Sequence, residues 1–155
     1  MRGSALLVVL AACQGKRATV APSDDALVRM DGWGELRFGT RIDAPPSECA
    51  MQPIGEHTPE GVAWMIVDGV VVRLDVRSPA LHTEQDAKVG TSAATLRRLY
   101  PDAIEQPNKY DPEGSTWIVG PPDRAHFVFE LDRTHRVVRW RAGLPPQVDW
   151  VEGCG

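Results

Sequence analysis

Apolar and polar residues alternate in two stretches of the chain, and each stretch folds back on itself. In "VAWMIVDGVVVRLDV" two β-rich runs flank Asp68-Gly69, a pair suited to a two-residue turn with both central φ angles positive. Such a loop sets Met65 opposite Val72 and Ala63 opposite Leu74. Alternation then gives one face Ala63, Met65, Val67, Val70, Val72, Leu74 and Val76, and the other Trp64, Ile66, Val71, Arg73 and Asp75. The second stretch, "HFVFELDRTHRVVRWRA", folds about Arg133-Thr134. Phe129 then faces Val138 and Phe127 faces Trp140, and these four share a core side with Leu131. His126, Val128, Glu130, Val137, Arg139 and Arg141 fall on the outer side, where Glu130 can pair with Arg139 across the strands.

A helical period occurs once. Leu96, Leu99 and Tyr100 make an apolar stripe over about 92–100, Thr91 or Ser92 can cap it, and Pro101 ends it. The two hairpins look like copies of each other, with Val72-Arg73-Leu74 matching Val138-Arg139-Trp140. Upstream, "RFGT" (Arg37 to Thr40) echoes "KVGT" (Lys88 to Thr91). Two tandem repeats of about 33–77 and 84–143 follow. In the first, Pro45-Pro46 breaks any helix after at most a turn. The second adds a turn-rich loop, "NKYDPEG", before a strand at about 115–119. The predicted fold is α+β: antiparallel hairpins in a curved sheet, with one short helix packed on it, in a single domain over 31–155 ending in a tail.

The first residues have a different character. Arg2 precedes the unbroken apolar run Ala5 to Ala12, the charged and apolar regions of a secretory signal. A spanning helix needs about 18–20 apolar residues, so this run is too short to be an anchor by itself. From Gln14 to about Val28 the chain is polar, small and without period. Residues 13–30 read as a tether with an r.m.s. reach of about 20 Å. The run ends in Leu10-Ala11-Ala12-Cys13, which resembles the bacterial lipobox. That resemblance implies that residues 1–12 are removed and that Cys13 carries the lipid. Gln14, where retained lipoproteins carry Asp, implies an outer-membrane destination facing the periplasm. Each buried CH₂ of the lipid contributes about 0.8 kcal/mol, and more than one chain anchors stably.

Composition narrows the function classes. The 155 residues carry 17 basic and 21 acidic side chains, for a net charge of −4. Loss of Arg2 with the leader removes one positive charge and makes the remainder more acidic. A nucleic-acid binder would show a basic stripe, so none is expected as a partner. With Cys13 assigned to lipid, Cys49 and Cys154 remain. In an oxidising compartment a disulfide is the simplest account, against two separate free thiols.

Further resemblances accompany particular stretches. "KVGTSAATLRRLYP" is similar to the glycine, cap and short-helix signature of the small lipoprotein subunit of the barrel-assembly machinery. The tandem arrangement looks like that of β-lactamase-inhibitory proteins, which present a concave sheet to a partner. A group of uncharacterised bacterial envelope proteins resembles the chain more widely, through "RLDV", "VGTS", "KY" (Lys109-Tyr110), the second hairpin and the terminal "EGC". Both functional families act through surface rather than catalytic residues, so these likenesses imply no catalytic residue and no cofactor.

Candidate chemistry is sparse. His57, His82, His126 and His135 lack metal-ligand spacing, and His82 is expected on a surface loop. His126, Glu130 and Asp132 share a strand face without a nucleophile motif, and a solvated outer face accounts for them better than acid–base work. Asp111 and Glu113 suit calcium, but a proline turn explains them more simply. The expected binding surface is the polar sheet face: Trp64, Arg73, Arg139 and Arg141, rimmed by Lys109 and Tyr110. Tryptophan and arginine are common hot-spot residues. Trp64 has a second reading, packing against the segment around Trp33 as part of a small core. The function implied is a non-enzymatic module that binds another envelope or extracellular protein. A structural or assembly role in the outer membrane is the alternative, followed by a small-ligand binder or an enzyme, for which a closed pocket would be the sign.

Overall fold

The computed structural model describes residues 26–43, 48–55 and 57–154. The leader, Cys13 and most of the tether lie outside the described residues. The elements are β1 (Leu27–Arg29), β2 (Gly32–Trp33), β3 (Leu36–Arg37), β4 (Cys49–Gln52), β5 (Val62–Val67), β6 (Val70–Val76) and β7 (His82–Thr83). After them come α1 (Ala93–Leu99), β8 (Ile104–Pro107), β9 (Ser115–Val119), β10 (His126–Leu131), β11 (Val137–Gly143) and a single 3₁₀ turn, Gln147–Asp149. Strand β1 thus starts inside the segment that composition assigns to the tether.

Seven strands form one antiparallel sheet in the order β4-β5-β6-β11-β10-β9-β8, and four short ones form a second in the order β3-β2-β1-β7. The two predicted hairpins are β5–β6 and β10–β11, and they lie side by side through β6 and β11. The helix forms where its stripe predicts. Ser92 accepts from the Thr95 amide at its start, and Leu96 is fully buried. Just beyond, Tyr100 donates to Thr83 Oγ1 at 2.7 Å, and burial pushes its phenol up to about 12.

The register differs from a simple hairpin in both cases, for one reason. Asp68 and Gly69 have positive φ, as the turn requires, and pair Val67 with Val70 and Ile66 with Val71. One step later Met65 pairs with Arg73, leaving Val72 as the extra residue of a β-bulge. The bulge reverses parity along the rest of the hairpin. The core side of β5 is therefore Val62, Trp64 and Ile66, with Val71, Leu74 and Val76 from β6. Ala63 and Met65 take the opposite face, against expectation.

In the second hairpin the Asp132 carboxylate accepts from the Thr134 and Arg136 amides and holds a longer loop. Phe129 consequently pairs with Trp140 rather than Val138, and Phe127 with Ala142. Val138 is the bulged residue and is 45% exposed, while Val137 takes its core position. Phe127, Phe129, Leu131 and Trp140 keep their predicted side.

Trp64 is 2% exposed, which removes it from the expected binding surface and realises its second reading. Its ring stacks on Trp33 at 6.2 Å and meets the edge of Phe38 at 6.0 Å. The small sheet, with Val28, Trp33 and Leu36, and the helix region, with Leu96 and Tyr100, together cover the apolar face of the large sheet. Phe127, Phe129, Trp140 and Tyr100 form an aromatic cluster at its centre.

Each hairpin also receives its upstream segment by the same backbone hydrogen bonds. Gly39 donates to Val71 and Gly90 to Val137, both at 2.7 Å; Val71 donates to Thr40 and Val137 to Thr91, both at 2.9 Å. Ile42 donates to Gly69, as Ala93 does to His135. A disulfide joins Cys49 on edge strand β4 to Cys154 in the tail, 105 residues on.

Two outcomes follow from this packing. Trp64→Ala should cost about 3–5 kcal/mol in urea unfolding, since it empties a buried aromatic site, whereas Val138→Thr should change stability by no more than about 0.5 kcal/mol. Equal effects would contradict the bulged register. Replacing both Cys49 and Cys154 by Ser should lower stability by up to about 4–5 kcal/mol on the chain-entropy estimate, read as a shift of the urea midpoint relative to the oxidised protein.

Candidate functional site

The second face of the large sheet mixes charge with a few buried apolar side chains, among them Met65 and Val128. Period-two alternation on β6 places Arg73 and Asp75 there, with Arg77 just past the strand's end, and β10 and β11 add His126, Glu130, Arg139 and Arg141. Several of these are buried: Arg73 is 2% exposed, Glu130 3% and Arg141 3%. Buried ions persist only when paired and fully hydrogen-bonded. Here the partners come from the sheet and from the tail that crosses it.

Arg73 forks onto Asp75, with Nε and Nη2 donating at 2.7 and 2.6 Å, and its Nη1 donates to the carbonyls of Gln147 and Trp150. Arg141 donates to the Val148 carbonyl and to Glu130. Arg139 donates to the other Glu130 oxygen at 2.7 Å. His126, far from being solvated, is buried, with Nε2 2.9 Å from Asp149 and Nδ1 2.9 Å from the Arg124 carbonyl. The arginines therefore hold the main chain of the tail onto the sheet, and the disulfide fixes its end. Burial alone would raise the Glu130 carboxyl. The hydrogen bond from Arg139 and the charge of Arg141 outweigh it and hold the group below its ordinary value.

Beside this strap lies an open groove of about 630 Å³. Its floor and walls include Arg73, Asp75, Arg77 and Arg139, with Met51, Val62 and Ala63 on the β4–β5 side and Val151 to Gly153 on the strap. Tyr110 stands on its rim, 58% exposed. A second hollow of about 340 Å³ continues it towards Asn108, Asp111 and Asp132, and Arg77, Tyr110 and Arg139 line both. The Tyr110 loop is rigidly built: Asn108 Oδ1 accepts from the amides of Tyr110 and Asp111, and Asp111 Oδ1 from that of Glu113. Lys109 reaches across to Glu152 at 3.2 Å, joining loop to strap.

Of the six residues expected at a partner surface, the structure brings Tyr110 and Arg139 to this groove, and Lys109 stands beside it on Glu152. Trp64 lies on the other face, in the core. Arg141 is buried beneath the strap, and Arg73 reaches the groove only as floor, its guanidinium committed to Asp75 and the strap. Arg77, Met51 and Glu152 were not singled out from sequence. Arg77 was findable, because it continues the alternation of Arg73 and Asp75. His82 lies on β7, its side chain about one-third exposed. No group of three or more His, Cys, Asp or Glu side chains is placed to hold a metal among the described residues. Nor is any described helix long and apolar enough to cross a membrane.

No protein-family model matches the chain, and no curated protein does. Among solved structures it is similar to an extracellular protein containing an SCP domain from Bacillus anthracis str. Ames. Identity is 14% and the TM-score 0.43, over 90% of this chain and 50% of that one. The chain thus spans about half the length of that protein, and a likeness at this level carries no argument about function.

The ion cluster makes a stability prediction with a definite sign. Glu130 has a lower value folded than unfolded, so its contribution is fully present above the unfolded value of about 4.3. It is lost as pH falls through the lower folded value. Glu130→Gln should cost about 3–5 kcal/mol at pH 7, because Arg141 is left buried without its carboxylate. That deficit should shrink in urea titrations run at progressively lower pH. A deficit independent of pH would mean that the charge contributes nothing.

Proposed function

We propose that the chain is a non-enzymatic, lipid-anchored protein of the bacterial cell envelope that binds another envelope or extracellular protein through this groove. The observation that carries the reading is the groove itself. It is open rather than enclosed, floored by a rigid charged sheet and rimmed by an exposed aromatic and basic loop. A drug-sized ligand is usually enclosed over most of its surface, and an open channel with an aromatic rim suits a chain segment better. The Cys49–Cys154 disulfide fits an oxidising compartment. Lipid attachment at Cys13 and an outer-membrane location facing the periplasm complete the reading, on the strength of the lipobox resemblance.

A duplicated α+β unit is part of the same proposal. Its support is the sheet order, which places β4-β5-β6 and β9-β10-β11 symmetrically about the β6–β11 seam, and the shared bulge and hydrogen-bond pattern.

The test is site-specific photocrosslinking of the full-length chain in living cells. A crosslinker at Tyr110 should give a discrete protein adduct that is absent when the probe sits at the exposed helix residue Arg98. Cys13→Ser should move the protein from the membrane to the soluble fraction and weaken the adduct. No adduct at Tyr110, or the same adducts from both positions, would sink the partner-binding reading.

A further inference from the structure

The groove lies beside a segment of chain that this sheet face already holds, and that strap shows how the face binds a polypeptide. Arginines projecting from β6 and β11 donate to main-chain carbonyls of the strap while pairing with carboxylates. Two further arginines, Arg77 just past the end of β6 and Arg139 on β11, line the uncovered part. Arg77 is exposed and has no side-chain partner among the described residues. Arg139 shares the Glu130 carboxylate with Arg141, so two guanidiniums answer to one negative charge.

Of the other charges at the groove, two carboxylates are paired and two keep their negative charge in the far hollow. Asp75 is taken by Arg73 and Glu152 by Lys109. The Asp111 and Asp132 oxygens at the far hollow accept amides of their own turns. The guanidiniums of Arg77 and Arg139 therefore stand between the paired charges of the first hollow and the Asp111 and Asp132 carboxylates of the second. The two hollows share Arg77, Tyr110 and Arg139, so the track is elongated and its cationic part is in the middle.

Resting on the partner-binding reading, we propose that the groove receives an extended polypeptide segment bearing a carboxylate, which Arg77 and Arg139 hold as a charge-assisted clamp. Arg77 and Arg139 each have guanidinium N–H groups to offer, and a carboxylate is the acceptor such forks match best. Tyr110 supplies an amphipathic wall, and Met51, Val62 and Ala63 an apolar one, for the residues either side of the acid.

The experiment uses the full chain in detergent and three fluorescent decapeptides alternating serine with glutamate, glutamine or lysine, read by fluorescence polarisation. The glutamate peptide should bind at least tenfold more tightly than the glutamine peptide, with a preference that shrinks at high salt. Arg77→Gln and Arg139→Gln should each remove most of that preference. Arg77→Gln is the cleaner variant, since it breaks no side-chain hydrogen bond or ion pair among the described residues. Equal binding of the glutamate and glutamine peptides, or an unchanged preference in Arg77→Gln, would overturn the clamp. So would equal competition by a ten-nucleotide single-stranded DNA, which would assign the groove to phosphate recognition. The Tyr110 crosslink separates the two levels. If its adduct persists at full yield in Arg77→Gln, the partner reading stands and the clamp fails; if the unaltered chain gives no adduct, the partner reading itself fails.

Discussion

The seam between β6 and β11 is the contact on which the rest of the structure depends. Val76 with Trp140, Asp75 with Arg141, Leu74 with Ala142 and Arg73 with Gly143 join two hairpins into one sheet. An isolated hairpin is marginal in water, while strands paired over a common apolar face are stable. The seam allows close approach at one end. A Cβ at Gly143 would stand 2.5 Å from the Val72 carbonyl oxygen, so only glycine fits where β11 runs past the bulge. Because both bulges place parity in the same sense, the joined sheet has one continuous apolar face and a second face on which charged side chains are interspersed with Ala63, Met65 and Val128.

Those faces meet different physical demands. The apolar side is covered by the helix region and the small sheet, at the ordinary gain of about 25 cal/mol per Å² of apolar surface removed from water. The charged side cannot be covered that way without leaving ions unpaired. The strap solves this with polar backbone: its carbonyls accept from Arg73 and Arg141, and only Val148 is fully buried within it. Such a cover carries little hydrophobic gain of its own, and so the disulfide at its end matters more than its position near a chain terminus suggests. The groove is what remains of that face beyond the strap's reach.

The two hairpins, β9 and the helix were legible in the sequence, because β-branched alternation, Asp-Gly and a capped helical stripe are local signals. Strands β4 and β8 and the second sheet of β3-β2-β1-β7, built from strands of two to four residues, were not. The helix stands within a residue or two of its expected ends, and the disulfide follows from cysteine arithmetic. Face assignment for Trp64 and Met65 was not legible, since a bulge is one unpaired residue and Val72 looks like any other strand valine. The same gap hid the fate of the polar face. Nothing local in "GLPPQVDWVEGCG" announces that the segment returns across the sheet, and so Arg73, Arg141 and His126 read as solvated when they are buried. Lys109 and Tyr110 were expected to rim the polar sheet face from their inserted loop, and Tyr110 does stand on the rim of the groove found there.

On the duplicated-unit reading, the seam carries a further mark of its origin. Counting from the bulges, Arg73 corresponds to Arg139, Leu74 to Trp140, Asp75 to Arg141 and Val76 to Ala142. The pairs Val76–Trp140 and Leu74–Ala142 are then related by a two-fold axis that passes between Asp75 and Arg141. An identical residue at that position in both copies would face itself across the strands, and like charges directly opposite are destabilising. Opposite charges remove the conflict, and they do so on the charged face, under the strap. On the same reading, the difference at the axis gives the seam a direction. The Asp75 side engages Arg73 and the groove, while Arg141 turns to Glu130 and the strap. On that reading both halves still hold the strap, through Arg73 of β6 and Arg141 of β11, and the asymmetry resides in the opposite charges at the axis.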